Sequence, residues 1–172
     1  SQDLAITLRV QRFLQDHPPF SFCKAEELAS LVQHIEVQVV RKGQVLFNKG
    51  DRPSSCFYLV KKGAIYIEEE FEQVRVLIDQ CGEGDIFGIR PLIAESPYLY
   101  CASAMEDSII YNIPFKQFQP LYSINPAVSG YMMKRFAAGL SVRETAMPQG
   151  QHLSDTLSSA IVVRLNLSKP LV

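Results

Sequence analysis

At Ile35 the hydrophobic pattern of this chain changes period from about 3.6 to two, and after Pro114 it changes back. Between those points Ile35, Val37 and Val39 alternate with Glu36 and Gln38, and Val45/Phe47, Phe57/Leu59 and Ile65/Ile67 follow. Val74, Val76 and Ile78 alternate with Arg75 and Leu77; Tyr98, Tyr100, Ala102 and Ala104 share one parity; Ile109, Tyr111 and Ile113 close the series. Turn signals separate the runs: Lys42-Gly43, Lys49-Gly50-Asp51, Lys61-Lys62-Gly63 and Gly82-Glu83-Gly84-Asp85. Short strands so close together leave no room for crossover helices, which excludes a parallel α/β sheet. The expected fold is mainly β: an antiparallel double-stranded β-helix, a jelly-roll-like barrel, over residues 35–114.

The flanks are helical. Leu4, Ile6, Leu8, Val10, Phe13 and Leu14 mark an amphipathic helix over 3–16, stopped by Pro18-Pro19. Cys23-Lys24-Ala25-Glu26 has capping-box spacing ahead of a second stripe, Ala25, Leu28, Ala29 and Val32. After Pro114, Phe115, Phe118, Leu121 and Tyr122 suggest a short helix interrupted by Pro120. Asn125-Pro126 supplies a cap and a first-turn proline for a longer helix reaching about residue 143, with Val128, Tyr131, Met132, Phe136 and Leu140 on one stripe. Met147–Gln151 reads as a linker, and Leu153, Leu157 and Ile161 as one more amphipathic helix. The organisation expected is a helical segment at 1–34, the barrel at 35–114 with a special loop at 87–97, helices at 115–144, and a linker at 145–172 toward a further domain.

Charge and cysteine usage narrow the function classes. Seventeen basic residues against 18 acidic ones leave a net charge of −1, which offers no general footprint for nucleic acid or an anionic membrane. No stretch approaches the roughly 20 apolar residues of a membrane span, and no signal segment opens the chain, so a cytoplasmic location is expected. Cys23, Cys56, Cys81 and Cys101 are widely spaced and His17, His34 and His152 are isolated, so no metal site is expected. That also disfavours a metal enzyme on a cupin-like barrel, and no nucleophile–base pair is legible; Ser54-Ser55 is a turn. No catalytic residue is assigned. Too few residues follow 144 for a helix-turn-helix module.

Phe87-Gly88-Ile89-Arg90-Pro91-Leu92-Ile93-Ala94-Glu95 breaks the strand rhythm. Gly88 turns the chain, and a proline in the first helical turn costs no hydrogen bond, so a short helix beginning near Arg90 or Pro91 is expected. Anion binding at its start is one reason for such an insertion.

Lys42-Gly43-Gln44-Val45-Leu46-Phe47, Lys49-Gly50-Asp51, Phe57–Ala64 and Gly84-Asp85-Ile86-Phe87-Gly88, in this order, resemble the cyclic-nucleotide-binding domain family over roughly residues 13–140. In that family a cassette of pattern Gly-Glu-x-Ala-Leu, then Pro-Arg-x-Ala-Thr, holds the ligand. Backbone N–H groups and the Arg take the cyclic phosphate, and the Glu takes the ribose hydroxyl. The resemblance places the site at Phe87, Gly88, Ile89, Arg90, Pro91, Leu92, Tyr98 and Cys101. Here Ile89 stands at the Glu position, Tyr98 at the Arg position and Cys101 at the Thr position, while Pro91 removes an N–H. Standard cyclic AMP chemistry is therefore missing; a nucleotide or other small anion is the class of ligand left open, and no cofactor is assigned.

The variant motif, together with Leu167–Val172, looks like the amino-terminal module of bacterial signal-transduction proteins that continue into paired CBS domains and a nucleotidyltransferase-like domain. The resemblance implies a regulatory or sensor module with a non-standard site that is not a tight cyclic AMP binder. The alternative is a ligand-free interaction or dimerisation domain packing on the downstream domains. Those domains, and a second copy met through the 126–143 helix, are the expected partners; nucleic acid and membrane are not. Two roles are open to Arg90: to anchor an anion with Tyr98 closing the pocket, or to pair with Glu95 or Asp85 while Tyr98 plugs an empty cassette.

Overall fold

In the computed structural model of this protein, which describes residues 2–146, two four-stranded antiparallel sheets face each other and helices gather on one side. In chain order the elements are α1 (Gln2–Gln15), a 3-10 turn at Phe20–Phe22, α2 (Ala25–Val32), β1 (Glu36–Val40), β2 (Val45–Phe47), β3 (Cys56–Lys62), β4 (Ile65–Phe71) and β5 (Val74–Cys81). Then follow β6 (Ile86–Phe87), α3 (Arg90–Ala94), β7 (Cys101–Ala104), β8 (Ser108–Pro114), α4 (Phe115–Ile124) and α5 (Pro126–Ala146). The strand orders are β1-β8-β3-β6 and β2-β7-β4-β5. This is the jelly-roll arrangement expected, built as two sheets and not as a closed barrel.

The first sheet is apolar on both faces. Val40, Tyr58, Val60, Phe87 and Ile110 pack between the sheets with Ile65, Ile67, Cys81, Ala102 and Ala104. Phe57, Leu59, Ile86, Tyr111 and Ile113 point the other way, onto Val10, Phe13 and Leu14 of α1, Leu28 and Leu31 of α2, Phe118 of α4, and Val128 and Met132 of α5. Alternate residues of one strand thus serve two cores. The stripe of α5 from Val128 to Phe136 packs on its own domain.

Several local readings shift. The cap of α2 lies one residue later than expected: Glu27 accepts the Lys24 N–H at 2.8 Å, because α2 begins at Ala25 and its third residue is Glu27, not Glu26. Asn125 caps α5 as its sequence implies, accepting from the N–H groups of Ala127 and Val128 at 3.0 and 3.3 Å. Pro120 does not break α4. The strand expected at Tyr98 begins only at Cys101; Tyr98 lies in the preceding loop. On β5 a bulge opposite Ile67/Glu68 reverses parity after Leu77, so Asp79 and Cys81 turn inward. Val37 and Val39 are 47% and 68% exposed, since the helical layer stops short of β1, and Leu4, Ile6 and Leu8 of α1 are exposed as well. The linker and helix expected after residue 146 lie outside the described residues. All four cysteines are free thiols, and burial pushes the Cys81 thiol well up.

Gly63 shows how a turn and the core interlock. Its φ of +101° suits glycine, and a β-carbon there would run into the Ser108 hydroxyl. That buried hydroxyl accepts the Ala64 N–H at 3.1 Å and donates to the Glu106 carbonyl at 2.8 Å. Gly63→Ala is expected to cost about 2–3 kcal/mol, or about 5–10 °C in Tm, measured by calorimetric melting.

Candidate functional site

The cassette sits where β6 leaves the first sheet. Gly88, at φ +76°, redirects the chain; a β-carbon there would approach the Tyr58 ring at 3.0 Å. α3 then starts at Arg90, as its sequence predicts, and ends at Glu95 in the left-handed region. Its start is poorly equipped for an anion. Pro91 has no N–H, and the N–H groups of Leu92 and Ile93 both donate to the Ile89 carbonyl, at 3.0 and 3.2 Å. Ile89, which the resemblance sets at the position of the family's acid, is buried and packs into the helix-side core with Leu92 beside it.

Tyr98 is 4% exposed and lies flat on Phe47, ring centroids 3.6 Å apart and planes 5° from parallel. Phe47 also neighbours Tyr58 and Phe87, whose rings stack at 5.1 Å. The four rings make one aromatic cluster inside the inter-sheet core. Backbone bonds hold Tyr98 there: its N–H donates to the Asp51 carbonyl at 3.0 Å, and its carbonyl accepts the Gly50 N–H at 2.8 Å. Cys101 assists from below, its sulfur accepting the Lys49 N–H at 3.4 Å. Burial, then the neighbouring Tyr58 phenol, pushes the Tyr98 hydroxyl pKa up.

The carboxylate partner expected for Arg90, Glu95 or Asp85, is not the one it meets. Its Nη2 donates to the Phe136 carbonyl of α5 at 3.0 Å, and its guanidinium lies over the Phe136 ring at 4.9 Å. Burial draws its pKa below the ordinary value, and the buried Asp79 carboxylate partly offsets this. Asp85 pairs instead with Arg135 at 3.9 Å. The reason is the position of α5, which runs past the cassette and puts a carbonyl, an aromatic face and a second guanidinium within reach. Two arginines thus tie consecutive α5 residues to the cassette, one from each side. The sequence marks none of Asp79, Phe47, Tyr58 and Phe136 as a site residue, and Phe136 enters there only as part of the α5 stripe. Asp79 is hidden by the bulge, whereas Phe47 and Tyr58 carried only the signal of inward strand parity. Among the described residues no group of three or more His, Cys, Asp or Glu could hold a metal ion, and no helix is long and apolar enough to cross a membrane.

The fold is thus a jelly roll with a helical turn after the sixth strand and a long closing helix. The sequence pattern of the cyclic nucleotide-binding domain matches residues 37–125, and the chain belongs to that family. It is 21% identical over 119 residues to the HTH-type transcriptional regulator Cmr of Mycobacterium tuberculosis, covering 69% of this chain and 48% of that protein; the chain spans about half the length of that relative. Its fold matches the sensor domain of the transcriptional regulator DNR from Pseudomonas aeruginosa with a TM-score of 0.69, 18% identity and coverage of 86% of this chain and 99% of that one. A cyclic nucleotide-binding-like protein from Brucella abortus matches with a TM-score of 0.55 and 29% identity, over 66% of this chain and 97% of that one.

Tyr98→Phe keeps the stack and is expected to melt near wild type, whereas Tyr98→Ala empties it and costs about 3–5 kcal/mol. Because the folded state holds the Tyr98 proton more tightly, wild-type stability is full below the ordinary phenol value of about 10 and falls as pH rises above it. Tyr98→Phe should flatten that alkaline fall in pH-dependent melting. Arg90→Ala removes a charge-assisted bond worth about 1.5–3 kcal/mol, and amide exchange should quicken around residues 132–138 while β3 and β8 stay protected.

Proposed function

We propose that this domain is the regulatory module of a larger signalling protein, with a cassette filled by its own aromatic side chains and an output carried by the seating of α5. The observation that carries this reading is the Tyr98–Phe47 stack occurring together with the Arg90 bond to Phe136. Tyr98 stands where the family pattern has a phosphate-binding arginine, and the one cation in the cassette is engaged with α5. Losing a bidentate guanidinium–phosphate contact removes about 1.5–3 kcal/mol, and losing the ribose acceptor removes a comparable amount. At 1.4 kcal/mol per tenfold, cyclic AMP affinity falls by about two to four orders of magnitude.

An anion at Arg90 would compete with the Phe136 carbonyl, so any ligand of this cassette is expected to be anionic and to loosen α5. The remaining elements of the reading are a cytoplasmic setting and downstream CBS-pair and nucleotidyltransferase-like domains that sense α5. The outer side of α5, where Met133 is 66% exposed, is available to them or to a second chain.

Titration calorimetry with cyclic AMP should give no Kd below a micromolar, and a tighter one would overturn the self-filled cassette. A thermal-shift series over inorganic phosphate, adenine nucleotides and cyclic dinucleotides tests for anion competition. A ligand at one hundred times its Kd adds about 2.7 kcal/mol, and Arg90→Ala should abolish its shift.

A further inference from the structure

The apolar outer face of the first sheet is wider than the helices that cover it. Beyond α1 the face continues as Val37 and Val39 on β1 and Ile109 on β8; Val37 pairs with Tyr111 and Val39 with Ile109, so these side chains share that face. Between this strip and α1 runs an open groove of about 450 Å³ with Ile6, Val37 and Ile109 along it. Its rim carries Arg9, Arg12 and Lys61 against one acid, Asp16. Lys61 is held over the Phe13 ring at 4.5 Å, and none of the three cations has an ion-pair partner among the described residues. An apolar floor with surplus positive charge selects an acidic, partly apolar occupant.

The same chain presents one. The β4–β5 hairpin reads Glu68-Glu69-Glu70-Phe71-Glu72-Gln73-Val74. Glu68 reaches Arg75 at 4.0 Å, but Glu69, Glu70 and Glu72 have no ion-pair partner among the described residues, and Val74 is exposed. Its tip is a two-residue turn with Glu72 at φ +46° and Gln73 at φ +70°, where Asn-Gly is the unstrained choice. Glu72 therefore projects from the tip at some cost in backbone energy.

We propose that the β4–β5 hairpin tip of one copy docks in the α1–β1 groove of a second copy, with Phe71 and Val74 over the Val37–Ile109 strip and with Glu69, on the same hairpin face, and Glu72 at the tip meeting Arg9, Arg12 and Lys61. A hairpin tip covers less than the roughly 1,200 Å² of a stable interface, so the association is weak and falls with added salt.

Sedimentation velocity on the full chain across a concentration series, at low and high salt, reads it directly. R9E/R12E and E69K/E72K each place like charges across the contact, and each protein alone should associate at least about tenfold more weakly than wild type. Mixed in equal amounts they restore two pairings, the Lys hairpin in the Glu groove with signs exchanged and the acidic hairpin in the basic groove as in wild type, so the mixture should associate while neither does alone. None of these positions is buried, and unchanged melting curves would show that each variant is folded. A wild-type chain that stays monomeric throughout overturns the proposal. So does self-association that both variants retain, which would place the contact elsewhere, for example on α5. Failure of the mixture to associate also overturns it, and leaves the groove to a foreign acidic partner.

Discussion

Everything in this domain follows from a sheet that is apolar on both faces. β3 and β8 place Phe57, Leu59, Tyr111 and Ile113 on one side and Tyr58, Val60 and Ile110 on the other. Neither face can be left to water, at about 25 cal/mol for each Å² of apolar surface. One is closed by the second sheet and the other by α1, α2, α4 and α5. The helices are thus structural walls before they are anything else, and α5 inherits its place beside the cassette from that requirement. The cover is incomplete at β1, where the exposed strip beside α1 remains.

The cassette is built at the junction of the two cores. Phe87 enters the inter-sheet core, Gly88 reverses the chain, and Ile89 enters the helix-side core two residues later. Arg90 is left between them with α5 overhead. In that half-buried position a guanidinium must keep a partner, because losing one leaves a charge stranded away from water. The Phe136 carbonyl and ring meet that need, with Asp79 adding to the local field. The Arg90 bond thus joins the core packing of Val128 and Met132 in seating α5. Tyr98 fills the other half of the cassette with ring surface, making it a continuation of the core.

Much of this could be read along the chain. The period switch at Ile35 and Pro114 located the β region, and glycines at strand junctions located its turns. Asn125-Pro126 located the start of α5, and Phe87–Pro91 located the helical turn of the cassette. Harder to read were features that depend on register. A single bulged residue, Ile78, turned Asp79 inward and could not be distinguished from regular alternation. Val37 and Val39 have the same alternation as buried strands, yet they are exposed because no helix reaches them.

The sequence by itself determined the class of fold, the order of its elements and the presence of Ile89 and Tyr98 where the resemblance expects Glu and Arg, since these rest on local periodicity and residue identity. Only the tertiary structure decided what replaced them. The Tyr98 ring lies on Phe47, 51 residues away along the chain, and the Arg90 guanidinium meets Phe136, 46 residues away. Such pairings are set by how two sheets and a helix close on one another, and no spacing within a single segment encodes them.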